Sequence, residues 1–162
     1  MAIGERVDWR TELGGGIRVA LIQAGTFLSD AGTLFGPVPR SFWQPLVADE
    51  IDPEHRLVQA LNCLLIETPA GRVLVETGIG ERMDDHHRAQ RGYEGPAVLP
   101  ALAAAGFAPG SVDLIALSHL HFDHAGGLLT ATGARAFPRA RVVAQADEWR
   151  HALDPNLRLV AS

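Results

Sequence analysis

The sequence predicts an α/β fold, a mixed sheet with flanking helices and a polar cluster at the carboxyl end of one strand. Three observations point to it. Residues 57–68 and 72–77 are apolar runs joined by Pro69-Ala70-Gly71, the pattern of two strands around a short turn. Leu99, Leu102, Ala103 and Phe107 recur at helical spacing, with Gly106 as a stop. Residues 112–117 (V-D-L-I-A-L) then read as a largely buried strand, and a His- and Asp-rich run begins just beyond it. In layers of this kind ligands bind in crevices beyond the carboxyl ends of strands.

The elements follow in order. Residues 1–12 mix Glu, Arg, Asp and Thr with apolar residues and hold no apolar core of a signal peptide, so neither a leader nor an anchor is expected. Gly14-Gly15-Gly16 is a break, and no Gly-Lys-Ser/Thr follows to make it a phosphate loop. Residues 17–24 (I-R-V-A-L-I-Q-A) read as a strand. Residues 25–45 are punctuated by glycine and proline and read as loop; Phe35, Phe42 and Trp43 within them are expected to cover one edge of the core. Cys63 lies in the apolar stretch L-N-C-L-L-I and reads as a small buried hydrophobe. Gly78-Ile79-Gly80 ends the second hairpin strand, and residues 81–95 are polar and irregular. There Asp84-Asp85-His86-His87, flanked by Arg82 and Arg88, reads as a solvated loop rather than a second metal cluster. His55 reads as a turn residue and Tyr93 as an ordinary loop tyrosine. Residues 141–144 suggest a short strand and 147–153 a helical turn or two.

A chain of 162 residues fits one domain, here 1–162, and 47% hydrophobic residues suffice for a core. A net charge of -5, with 14 scattered Lys and Arg, argues against nucleic acid as a partner. Trp9, Trp43 and Trp149 show no spacing of a base-stacking platform. No window approaches the ~18 apolar residues of a membrane span, so no membrane partner is expected. One cysteine forms no internal disulfide and gives no sign of an oxidising compartment. A soluble, cytoplasmic protein is the expectation.

The most informative stretch is Ser118-His119-Leu120-His121-Phe122-Asp123-His124-Ala125-Gly126-Gly127. His119 and His121 are two apart, so an extended segment points both to one face, where two imidazoles grip one divalent ion. Asp123 and His124 follow where the chain turns towards a helix and aim at a second position close by. Neutral imidazole with carboxylate suits zinc, and also manganese or iron. The glycine pair lets the backbone turn tightly beside the ions.

The segment S-H-L-H-F-D-H-A-G-G resembles the second motif of the metallo-β-lactamase fold superfamily, above all the branch of N-acyl-homoserine lactonases and related esterase- or phosphotriesterase-like enzymes. V-L-V-E-T-G-I-G at residues 73–80 resembles the first motif, a strand ending in Asp-Thr-Gly, and F-G-P-V-P at 35–39 and L-N-C-L-L-I at 61–66 are similar to members of that branch. The resemblance runs over about residues 17 to 160 and implies an αββα sandwich, of which this chain resembles the amino-terminal half. It implies that His119 and His121 bind a first metal, and Asp123 and His124 a second. It also implies that a hydroxide held between two zinc ions attacks a lactone, ester or similar small molecule, with Asp123 orienting that hydroxide or taking up its proton.

Two departures stand out. Glu76 occupies the place of the usual Asp, a residue that orients the metal ligands. In the family a third His follows the motif by about sixty residues, then a bridging Asp and a last His; here only His151 lies downstream, in a stretch that looks helical. The expectation is therefore a truncated domain, inactive alone, with a bare apolar sheet face and a second copy as candidate partner. Two other readings stand beside it: an iron-dependent redox or dioxygenase member of the same superfamily, and a non-enzymatic metal-binding domain.

Overall fold

The computed structural model describes residues 10–154. One mixed sheet holds six strands side by side in chain order: β1 (Arg10–Gly14), β2 (Ile17–Asp30), β3 (Arg56–Thr68), β4 (Gly71–Val75), β5 (Leu114–Ala116) and β6 (Arg141–Val143). The first four are antiparallel neighbours, whereas β4, β5 and β6 run parallel. Short helices α1 (Ala31–Phe35) and α2 (Arg40–Trp43) fill the connection from β2 to β3. A parallel connection needs a crossover, and α3 (Asp85–Gln90) with α4 (Val98–Ala104) provide it between β4 and β5. α5 (Phe122–Ala125) follows β5, and α6 (Ala146–Leu153) follows β6.

The register explains the core. Ala20 pairs with Leu65, Leu65 with Leu74 and Leu74 with Ile115, so these four line up across one face. All four are buried, in one cluster with Val98 and Leu102 of α4. Strand side chains alternate, so Leu21, Leu64, Val75 and Ala116 point the other way, and these are only half-buried. The hairpin at residues 69–71, the helix near residue 100 and the strand before the His-rich run all stand where the sequence predicts them.

Residues 25–45 and 81–95, read as loop and as irregular, differ from the sequence reading, and α1 and α2 lie in the first of them. β2 runs on to Asp30 instead of ending at residue 24. The pairing shifts between Gln23 and Thr26 and then resumes with Thr26 opposite Ala60, so the strand bulges at Gly25 and continues. Gly25 has φ 102, and a side chain there would press on the Tyr93 ring and the Glu94 carbonyl. Residues 81–95 contain α3, started by Asp84, whose carboxylate accepts the His87 N–H at 2.9 Å. Tyr93 is not an ordinary loop residue: it is 5% exposed, with its hydroxyl 3.4 Å from the Ala24 carbonyl and the Arg88 guanidinium 4.2 Å above its ring.

The triple glycine is the turn of the β1–β2 hairpin. Trp43 is buried and stacks on Phe35 at 4.8 Å, a small second core with Ala31 and Leu57, whereas Phe42 is 71% exposed. Cys63 is fully buried, as expected. Residues 1–9, Trp9 among them, lie outside the described residues. Among the described residues no helix is long and apolar enough to cross a membrane.

Candidate metal centre

The His-rich segment leaves the carboxyl end of β5 beside the end of its parallel neighbour β4. Backbone contacts close these two strand ends onto one another. The Thr77 N–H and hydroxyl both donate to the His124 carbonyl at 2.8 Å, and the Gly127 N–H donates to Gly78 at 3.1 Å. A side chain on Gly126 would collide with the Ile79 carbonyl, and one on Gly127 with the Thr77 carbonyl. The glycine pair is thus required by close approach of two backbones. Thr77 is fully buried beneath this contact.

On that platform His119, Asp123 and His124 each bring one ligand atom within 4.8 Å of the others. His121 lies beside them: its ring is 4.5 Å from that of His119, whose ring is 3.9 Å from that of His124. His121 also precedes α5 as its cap residue, which puts Asp123 in the first helical turn and His124 in the last. All four side chains are half-buried.

Local partners orient the rings. Nδ1 of His119 lies 2.8 Å from the Ser118 hydroxyl, which leaves Nε2 outward. Nδ1 of His124 lies 3.2 Å from Glu76 Oε2, and its Nε2 lies 3.4 Å from Asp123 Oδ2. Glu76 Oε1 accepts the Ser118 N–H at 3.0 Å. The longer carboxylate at this position therefore reaches the metal loop at two points, from a backbone held at φ 64. Burial, and then the neighbouring His124 and His121, push the pKa of His119 below the ordinary imidazole value, which favours the neutral ring that ligates metals.

The residues fit a divalent ion. Metal-binding histidines ordinarily engage their second ring nitrogen with a carboxylate or other polar group. His119 does so through Ser118, and His124 Nδ1 faces the Glu76 carboxylate at 3.2 Å. Glu76 Oε2 and His124 Nδ1 are buried and close, yet neither makes a hydrogen bond, an arrangement that a charge on the other side of the imidazole relieves.

A cavity of about 240 Å³ opens beside Asp123 and His124. Phe27, Leu34 and Leu61 form its apolar wall, and Gln59, Asn62 and Ser29 its polar one. Phe27 meets the ring of Phe122 edge-on at 5.9 Å. The sequence reading missed this wall, because it joins the part of β2 read as loop, Leu34 of α1 and residues 59–62 of β3, which the fold alone brings together. His151 is exposed on α6, and His86 and His87 are exposed on α3, where His87 pairs with Asp84 at 2.6 Å; none belongs to the cluster.

A mixed sheet carrying this His and Asp cluster at its strand ends defines an α/β protein with a candidate metal centre. The chain belongs to the metallo-beta-lactamase superfamily, whose family model matches residues 58–159. It is 31% identical to the N-acyl homoserine lactonase AiiA of Bacillus thuringiensis subsp. kurstaki, across 66% of this chain and 45% of that one. In structure it is similar to a probable metal-dependent hydrolase from Staphylococcus aureus, with a TM-score of 0.83, 27% identity, and coverage of 91% of this chain and 53% of that one. It is also similar to an N-acyl homoserine lactone hydrolase with the product N-hexanoyl-L-homoserine bound at the catalytic metal centre. There the TM-score is 0.60, with 26% identity and coverage of 85% of this chain and 52% of that one. The chain thus spans about half the length of these relatives.

Proposed function

We propose that residues 1–162 form one domain that supplies one side of a divalent-metal centre in a metal-dependent hydrolase of lactones, esters or related small molecules. The observation that carries this reading is the convergence of His119, Asp123 and His124 donor atoms within 4.8 Å. His119 and His121 would hold one ion, and Asp123 and His124 a second, with zinc the metal that best suits imidazole and carboxylate and manganese or iron as substitutes. A bound divalent ion supplies Lewis-acid polarisation of a carbonyl or phosphoryl oxygen and lowers the pKa of water beside it.

The chain's own residues do the rest. Ser118 and Glu76 face the Nδ1 atoms of His119 and His124, which leaves both Nε2 atoms to the ion. Asp123 Oδ2, near His124, orients the attacking water and takes up its proton. The half-apolar cavity receives the acyl side of the substrate, with Asn62 and Gln59 available to an amide or hydroxyl. The identity to a lactonase supports a lactone as substrate.

The test uses the full protein, supplied with zinc or with iron, and follows lactone opening by proton release with oxygen uptake recorded alongside. Zinc-dependent opening lost in Asp123→Asn is the expected result. Iron-dependent oxygen uptake without hydrolysis would overturn it in favour of redox chemistry. The 162-residue chain alone is expected to bind metal but hydrolyse only at background.

A further inference from the structure

We infer that Glu148, on α6, is a positioning residue for the metal-binding segment: its carboxylate holds the Leu120 N–H between His119 and His121. The inference rests on the metal-centre reading above and adds a residue that neither motif contains.

Every other residue of α6 is exposed, including Trp149 at 60% and Leu153 at 68%, whereas Glu148 is half-buried. Its Oε2 accepts the Leu120 N–H at 3.3 Å. Among the described residues no other side-chain hydrogen bond ties α6 to the rest of the molecule. Its other side-chain hydrogen bond among the described residues, that of Asp147 with Arg150, lies within the helix.

The backbone at the strand end explains why this contact matters. Sheet pairing stops with the Leu117 N–H, which donates to Val143 at 2.9 Å. Beyond it the chain has no neighbouring strand, so its N–H groups need other acceptors. Ser118 finds Glu76 Oε1 at 3.0 Å, and Leu120 finds Glu148 Oε2. Two carboxylates, one following β4 and one on α6, therefore fasten the segment on either side of His119. A carboxylate is the stronger kind of acceptor for such an N–H. Without it, Leu120 turns to water and the spacing of the two imidazoles relaxes.

The experiment measures zinc affinity by competition with a chromophoric chelator, together with Leu120 amide exchange in the metal-free protein. Wild type is compared with Glu148→Ala, Glu148→Gln, Asp147→Ala and His119→Ala. Glu148→Ala is expected to raise the zinc Kd about 10- to 100-fold, the usual effect of removing a group that orients a ligand, and to speed Leu120 exchange. Glu148→Gln keeps an oxygen acceptor and is expected to stay within about threefold of wild type on both readouts. Asp147→Ala, whose partner is Arg150 on the same helix, is expected to leave affinity unchanged. Should Glu148→Ala unwind α6, Glu148→Met keeps the length and helical preference without the acceptor, and the same loss is expected.

Wild-type affinity in Glu148→Ala and Glu148→Met, with zinc lost in His119→Ala, would refute the role of Glu148 and leave the metal centre standing. An equal loss in Asp147→Ala would also refute it, by tracing the effect to the helix rather than the carboxylate. Failure of the wild type to bind zinc would refute the metal centre itself, and this inference with it.

Discussion

Glu76 and Cys63 show how single residues are set by what surrounds them. Glu76 follows β4 with a left-handed backbone, φ 64, a conformation a side chain adopts only when its environment compensates. The compensation is visible in the Ser118 N–H and the His124 ring that its two oxygens meet. Cys63, on the covered face of β3, is fully buried; burial, and then the nearby Glu76 charge, push its thiol from 9.0 up to about 12. Because the thiolate is the reactive form, Cys63 is expected to resist a disulfide exchange reagent at pH 8 in the folded chain and to react at once in denaturant. A raised pKa also means that this thiol favours the folded state fully below pH 9.0, a contribution lost as pH rises towards 12. Rapid labelling of the native protein would contradict its placement. At this scale the sequence was informative where chemistry is local: the burial of Cys63 and the grouping of His119, Asp123 and His124 follow from residue type and spacing. Glu148 was not legible, because nothing within its own helix signals that its carboxylate ends on a backbone N–H 28 positions earlier.

Between elements, the contact that matters most joins the ends of β4 and β5. Thr77 holds the His124 carbonyl, and Gly126 and Gly127 bring the two backbones close enough for that bond to form. Gly127→Ala is expected to destabilise the chain by about 1–3 kcal/mol, the usual cost of overpacking, seen as a lower melting temperature together with weakened metal binding. Gly133→Ala lies in open space but at φ 82, so it is a control for backbone strain alone, with metal binding unchanged. Equal behaviour of the two variants would contradict the close-approach argument. The hairpin, α4 and β5 were readable from apolar runs, spacing and turn residues. The extension of β2 was hidden by Gly25, which breaks the pattern while the strand bulges and continues. α3 was hidden because it is short and exposed, so no apolar stripe marks it, only the capping Asp84.

The whole molecule is a sheet with one well-packed face. Ala20, Leu65, Leu74 and Ile115 are buried against α4, and the alternating set on the other face is half-exposed. Two folding patterns meet in it: the antiparallel strands β1 to β4 are joined by tight turns except where α1 and α2 link β2 to β3, and the parallel β4–β5–β6 part places its strand ends at one edge, where the His and Asp residues gather. The fold class was legible because the hairpin and the helix-then-strand order survive in the pattern of the sequence. The sides of the cavity were not, since they depend on which strand faces which. The central question for the molecule is whether these side chains form a metal site. The most direct test is elemental analysis of the purified chain after exposure to limiting zinc, beside His119→Ala. One or two equivalents retained by the wild type and lost in the variant is the predicted result. Substoichiometric metal, equal in both, would contradict it and leave His119, His121, Asp123 and His124 as a motif without a site.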